Sequence, residues 1–493
     1  MLVKTKFYTS LFFILILILT GCKKQKEEKS ILLYCAAGIK PALEKVAKSY
    51  YEEYGIRVDL QFGGSGTLLA NIRIAQQGDL YVAADKSYVD EAIHYGLIDE
   101  TQPLAKIKPV IAVQKGNPKG IKSVEDLKVA SIKVAIANPE AASIGRLTKN
   151  ILTKSNHWEA IKENATVFMP TVVEVANNIK LEAVDAGIVW DTTANQYDDL
   201  EIVTIPEFDS HIKNITIGVL KFSKQPTEAL KFLRYLAAKD KGLLVFDRLG
   251  YEAIEGDQWS ETPELLFYSG GVNRVAVDNT VRKFEEREGV DVIRVYTGCG
   301  ILVSQMKAGQ EPDAYFSCDV SFMTQVEDRF SDITDISKTD IIIAVPKGNP
   351  LQIKILKDLS TADLKLGVCN HELSALGFLT KKLLESQNLW ESVYSNVRVQ
   401  TPTADLLVNQ LRTGSLDAVV VYEANVAQIK NKIDIVRLTQ KEAMALQNFG
   451  VSLKSNNRYL TKRLLKTITD EKSKEVFLDN GFTWEFSKEQ TLN

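Results

Sequence analysis

The feature that most constrains this chain is that it repeats itself. Ile111-Ala112-Val113, followed by Lys115-Gly116-Asn117-Pro118, returns 232 positions later as Ile343-Ala344-Val345, followed by Lys347-Gly348-Asn349-Pro350. Asn138 pairs with Asn370 and Gly218 with Gly450 at the same offset, Ser65 with Cys299 and Asp85 with Asp319 at 234, and Gly250 with Gly481 at 231. Shared helix and strand periodicity mimics one or two such matches, but not an ordered series with small gaps, and the period far exceeds the roughly 20–50 residues of solenoid repeats. With 493 residues, too many for one compact core, the reading is two modules. The first spans Ile31–Gly256 and the second Thr262–Phe486, joined by Asp257 to Glu261.

Ahead of the repeats, Lys4 and Lys6 precede an apolar run from Leu11 to Leu19, the layout of a secretory signal and short for a bilayer span. Leu19-Thr20-Gly21-Cys22 resembles the bacterial lipoprotein processing site, where cleavage precedes the Cys and lipid joins its sulfur. The expectation is therefore a signal peptide over residues 1–22, a lipidated Cys22, and a solvated charged tether over 23–30. No later apolar run approaches membrane length, so the remainder is expected to be water-soluble, in the periplasm or at the cell exterior, held to the membrane by lipid only. A formal net charge of −3 gives no basic excess for a phosphate backbone, so nucleic-acid binding is not expected. Four histidines make a His-based metalloenzyme improbable, although one His beside thiols could still matter.

Strands and helices alternate. Ile31–Tyr34 reads as a strand leading through Cys35-Ala36-Ala37-Gly38 into a helix from Pro41 to Tyr54. Arg57–Phe62 leads through Gly63-Gly64-Ser65-Gly66 into a helix ending near Gln77. Lys133–Ala137 leads through Asn138-Pro139 into a third, and Ala183–Trp190 reads as another strand end. The pattern gives an α/β fold whose open sheets bind ligands beyond the carboxyl ends of the strands. The turns are made of Gly, Ala and Ser, with no Arg or Lys, so helix-start amides are left uncovered for an anion. Neutral donors suit a fully ionised oxyanion, and Ser65 would add a hydroxyl. Ordinary glycine turns and caps are the alternative for any one of them; three per module in register favour an anion cleft.

Tyr34-Cys35-Ala36-Ala37-Gly38, Gly63-Gly64-Ser65-Gly66-Thr67-Leu68, Gly78-Asp79-Leu80-Tyr81-Val82-Ala83-Ala84-Asp85, Asn138-Pro139-Glu140 and Asp185-Ala186-Gly187-Ile188-Val189-Trp190 together resemble the molybdate-binding periplasmic proteins of ABC transporters. The likeness covers nearly all of module one. It implies two tandem type II periplasmic-binding-protein modules, each of two lobes with a central mixed sheet flanked by helices, closing on molybdate or tungstate and handing it to a permease. It implies no cofactor. In that family the oxyanion is held by a first-turn hydroxyl, a second-turn Ser, helix-start amides, one further amide and a Tyr hydroxyl. Carried over, these point to Ala37 and Gly38, Ser65, the helix start at Ala142, Ser143 and Ile144, Val172, and Trp190. Two positions depart from the pattern. Gly38 lacks the usual hydroxyl, and Trp190 replaces the Tyr, where it serves either as core packing or as an indole donor.

Module two keeps the framework and changes the chemistry. Gly270 and Gly271 match the first turn, Ser374 the helix start, and Tyr422 restores the family Tyr, while Cys299 stands in for Ser65. Cys318 in Phe316-Ser317-Cys318-Asp319 and Cys369 in Cys369-Asn370-His371-Glu372 also lie at strand ends. Cys299, Cys318, Cys369 and His371 could thus face one cleft and take a soft metal or thiophilic ligand, in a sensor or metal-binding role. Buried thiols packing as small hydrophobes, and a Cys299–Cys318 disulfide, remain open beside it. A cysteine-dependent enzyme would rest on Cys299 with His371, and no catalytic signature surrounds either. Asp85 and Glu140 could be proposed as paired carboxylates, but Glu140 in a first helical turn simply complements the dipole. The expectation is a binder, with no catalytic residue.

Overall fold

The computed structural model describes residues 30–487. The apolar leader, Cys22 and most of the tether lie outside the described residues. Ser30, read above as the end of the tether, instead opens the first strand.

Module one has two lobes. In the first, a six-stranded mixed sheet runs in the order Glu252–Ala253, Ile98–Ile107, Lys213–Leu220, Leu80–Ala83, Ser30–Ala36 and Arg57–Gly63. In the second, a five-stranded sheet runs Ala165–Met169, Val134–Ala137, Ala186–Trp190, Pro109–Gln114 and Leu200–Val203. Parallel pairing within each βαβ stretch places every strand-to-helix turn on the side facing the other lobe. The chain crosses between lobes at Lys108, whose backbone N–H and C=O bond to the Asp191 carboxylate and the Asp191 N–H at 3.2 and 2.9 Å.

The helix Lys40–Tyr54 shows why the local sequence folds as it does. Pro41 sits in the first turn, Ala42, Leu43, Val46, Ala47 and Tyr50 bury one face, and Gly55 stops it at φ 66°. Its counterpart Arg274–Glu288 buries Ala276, Val277, Val281 and Phe284 and stops at Gly289, φ 65°.

Module two repeats the plan with one change at the crossing. A single strand, Phe330–Pro346, pairs with Met444–Ser452 of the first lobe as far as Asp340 and with Ala418–Tyr422 of the second from Ile341. The two lobe sheets are therefore continuous, where module one breaks at Lys108. Each module has its own core.

The modules join through their first lobes. Glu288 accepts from Arg234 at 3.0 Å and from Arg463 at 2.6 and 3.1 Å, and Arg463 also donates to Gln102 at 2.8 Å; all four side chains are buried. Burial pulls the Glu288 carboxyl upward, but the two guanidiniums outweigh it and hold it below the usual range. Asp257, in the joining segment, accepts the Tyr459 and Leu460 amides at 2.9 and 3.0 Å and so caps the helix Arg458–Ile468.

Candidate functional site

In module one the turns from opposite lobes meet. The helix Ser65–Ala75 begins at the end of Arg57–Gly63 and aims its first amides across the cleft, where Gly66 and Thr67 N–H donate to the Ala141 carbonyl at 2.9 and 3.2 Å. That approach requires glycine. A Cβ on Gly64 would collide with the Ala141 carbonyl, and one on Gly66 would come within 2.6 Å of the Glu140 carbonyl. The lobes are thus closed on each other.

Ser65 is buried, with its hydroxyl taking the Ala84 N–H at 3.3 Å and pointing at the Ser143 hydroxyl 3.5 Å away on the other lobe. Tyr81 donates to the Ser65 carbonyl at 2.7 Å and fixes the turn from below. Ser143 and Ile144 open the helix Ser143–Lys154, so their amides have no intrahelical partner. Ala142 differs from expectation. Its N–H already donates to the Asn138 carbonyl at 2.9 Å, because the turn from Asn138 closes on itself before the helix starts.

Val172 is the first residue of Val172–Lys180, behind a capping box in which Thr171 takes the Glu174 N–H and Glu174 takes the Thr171 N–H. The cap satisfies the third amide and leaves that of Val172 uncovered. Gly38 lies directly opposite: a Cβ there would stand 3.0 Å from Val172 Cγ1, 3.1 Å from Thr193 Oγ1 and 3.7 Å from Trp190 Cδ1. Trp190 is buried with the Cδ1 edge of its indole toward Gly38. Thr193 was not anticipated. The signal was present in Thr192-Thr193, two small hydroxyl residues just beyond a strand end.

Arg146, beside this cleft, is held away from it. Its guanidinium stacks 3.4 Å from the Tyr88 ring centroid and pairs with Glu91 at 3.1 Å. The donors gathered around Ser65, Ser143 and Val172 are all neutral.

Module two closes the same way, Gly300 N–H donating to the Leu373 carbonyl at 3.1 Å. Its contents differ. Strand register sets Gly270 where module one has Ala36, Gly271 where it has Ala37, and Val272 where it has Gly38. The two glycines of that turn thus precede the Gly38 position, and a Val side chain fills it. Cys299 and Cys318 Sγ lie 2.7 Å apart, and the Cys318 N–H points at Cys299 Sγ at 3.1 Å, as Ala84 N–H does at Ser65. A Cβ on Gly270 would collide with Cys318 Sγ and come within 2.9 Å of Cys299 Sγ. A cavity of about 20 Å³ remains, lined among others by Val272, Cys318, Ser374, Asp405 and Tyr422. The Tyr422 hydroxyl is buried without a partner, and its burial, with the two cysteines and Asp319 nearby, pushes its ionisation well up. Asp405 is raised by burial despite a 3.1 Å bond from Asn425.

The four-residue soft-metal site is not assembled. Cys369 sits against Thr401 Oγ1 at 3.9 Å, burial pushing its thiol up to about 12, and His371 packs its ring on Trp390 with centroids 5.6 Å apart. Among the described residues no three His, Cys, Asp or Glu side chains are placed to hold one metal ion. Cys299 and Cys318 lie beyond strands of the first lobe, Cys369 ends a strand of the second with its thiol turned to Thr401 of the neighbouring strand, and His371 is half-buried in the loop beyond it with its Nδ1 unpartnered.

Both halves of the chain are similar to known proteins. The family model described as "Bacterial extracellular solute-binding protein" matches twice, over residues 31–252 and 265–483. YvgL of Bacillus subtilis, provisionally named an ABC transporter substrate-binding lipoprotein, is 29% identical over 48% of this chain and 94% of its own length. The molybdate-binding protein ModA of Mycobacterium tuberculosis is 26% identical over 45% of this chain and 84% of its own. The periplasmic molybdate-binding protein of Azotobacter vinelandii superposes with a TM-score of 0.40 at 16% identity, covering 46% of this chain and all (100%) of that one. Each relative has about the length of one module.

Proposed function

Since the chain belongs, through both of its halves, to the bacterial extracellular solute-binding proteins, we propose that module one captures a tetrahedral oxyanion dianion, molybdate or tungstate, and presents it to the permease of an ABC transporter. One observation carries this reading: Ser65 and Ser143 hydroxyls from opposite lobes converge beside the open amides at the starts of two helices. Oriented neutral dipoles in an enclosed cleft replace the hydration shell of a dianion without needing a counter-ion. The helix-start amides can only donate, so they favour the fully ionised anion over a protonated one. The Trp190 indole and the Ala37–Gly38 turn complete the wall. The names of the molybdate-binding relatives support the choice of anion.

Closure of the lobes on the anion is the state the permease reads, since Gly66, Thr67 and Ala141 bond across the cleft only when it is shut. Lipid on Cys22 tethers the protein at the membrane, a reading supported by Leu19-Thr20-Gly21-Cys22. Module two is read as a module that does not take this dianion: Val272 fills the place of Gly38, a thiol pair replaces the Ser65 hydroxyl, and Asp405 stands at the mouth. Binding without turnover is the expected activity of both.

Isothermal titration of the full chain with molybdate, tungstate and sulfate tests the assignment. The expected result is one oxyanion per chain; absence of uptake of both metal oxyanions removes it.

A further inference from the structure

Thr193 has a buried hydroxyl that nothing uses. Its Oγ1 has no hydrogen-bond partner and the residue is 0% exposed. Such a group costs free energy unless something satisfies it. It lies 3.1 Å from where a Gly38 side chain would begin, on the opposite lobe, with Val172 Cγ1 at 3.0 Å from the same point. Gly38 is the first-turn position at which the resemblance to the molybdate-binding proteins implies a hydroxyl.

The corresponding place in module two argues in the same direction. Asn425 follows Tyr422 as Thr193 follows Trp190, and both of its polar atoms have partners, the amide donating to Asp405 at 3.1 Å and the carbonyl oxygen accepting the Tyr422 N–H at 3.3 Å. Where Val272 fills the first-turn position the facing residue is locally satisfied; where Gly38 leaves it open the facing hydroxyl is free.

Resting on the oxyanion reading of module one, we propose that Thr193 donates the hydrogen bond that Gly38 cannot, so that one hydroxyl ligand of the anion is carried by the second lobe and arrives only as the cleft closes. Glycine at 38 and threonine at 193 are then two halves of one exchange. The anion in an open cleft would meet Ser65 and the first-turn amides alone, and full affinity would follow closure.

Titration of the full chain with molybdate and with tungstate tests this through four variants. Thr193→Val keeps the shape and removes the hydroxyl, and is expected to weaken binding roughly ten- to one-hundred-and-fifty-fold, the range of a hydrogen bond to a charged group. Thr193→Ser should recover most of that loss. Gly38→Ser alone should also weaken binding, because its Cβ crowds Val172 and Thr193, whereas Gly38→Ser with Thr193→Ala moves the hydroxyl to the other lobe and should restore affinity. Circular-dichroism melts of each variant confirm folding. If wild type binds and Thr193→Val binds equally well, the inference is overturned while the oxyanion reading stands. Equal weakening in Thr193→Val and Thr193→Ser overturns it too, assigning Thr193 to packing. If wild type takes up neither anion, both fall together.

Discussion

At the floor of the first cleft Ala36, Ser65 and Ala84 come together; at the floor of the second the same three places hold Gly270, Cys299 and Cys318. These are one change rather than three. Two sulfurs fit beside each other only because Gly270 has no Cβ to collide with them. Both floors keep the amide that points from the strand end to the helix start, Ala84 to Ser65 at 3.3 Å and Cys318 to Cys299 at 3.1 Å. The architecture of the turn is therefore independent of what the turn offers a ligand. A hydroxyl donor has been exchanged for a thiol pair without disturbing sheet, helix or lobe closure, and the Cys299 contact together with burial pushes the ionisation of the Cys318 thiol well up.

Separating the modules is the strongest way to test that comparison, and Glu288 is the place to do it. Glu288→Ala leaves Arg234 and Arg463 buried without their shared carboxylate, an expected loss of about 3–5 kcal/mol. Calorimetry should then resolve two transitions, with molybdate raising only the one belonging to module one. A single unchanged transition would show that the network does not couple them. The same group sets a pH dependence. Its carboxyl is lowered in the folded state, so its contribution is present above the ordinary carboxylate range and fades as pH falls through the lowered value. Melting temperatures of wild type and Glu288→Gln should differ at neutral pH and converge in acid.

Ser65→Ala removes the donor that module two lacks. Affinity for molybdate should fall by about 1.5–3 kcal/mol by titration calorimetry, and an unchanged constant would strip Ser65 of its role.

Closure is common to both halves, and paired substitutions ask whether it matters equally. Gly64→Ala and Gly298→Ala each drive a Cβ into a carbonyl of the facing lobe, Ala141 or Leu373. Each should disfavour the closed state by about 1–3 kcal/mol. Small-angle scattering should show both expand, while only Gly64→Ala loses oxyanion affinity. The smallest effect is expected from Cys299→Ser. It restores a hydroxyl, yet Val272 and Asp405 remain, so the molybdate stoichiometry should stay at one per chain; a second equivalent would mean that the thiol alone separates the two modules.

Much of this was legible in the chain. The 232-residue offset gave the duplication, and the alternation of apolar strands with helices gave the α/β class, because both are written in local patterns that recur. Ser65 could be found as the residue that opens a helix after a small-residue turn, whereas Ser143 and Val172 came only with the resemblance to the molybdate-binding proteins. Three things were not. The Ala142 amide proved to be engaged by Asn138, a matter of where the turn ends and the helix begins, which composition does not mark. Gly270 and Gly271 mark the first turn without telling which residue stands at the Gly38 position, Val272, since a run of two glycines has no register of its own until a strand pairs it. Cys369 and His371 follow a strand as Cys299 and Cys318 do, yet their side chains pack on Thr401 and Trp390 instead of the thiol pair, which position along the chain does not reveal.

By itself, then, the order of amino acids determined that there are two modules, that each alternates strand and helix, and that their turns offer amides and hydroxyls rather than charges. Those are properties of neighbours in sequence, fixed by backbone sterics and by the apolar period of each segment. Only the tertiary structure decided which turns face one another. Gly38 meets Thr193 across more than 150 residues of intervening chain, and Cys299 meets Cys318 while Cys369 stays apart, because contact between lobes depends on sheet order and closure, which no short stretch of sequence encodes.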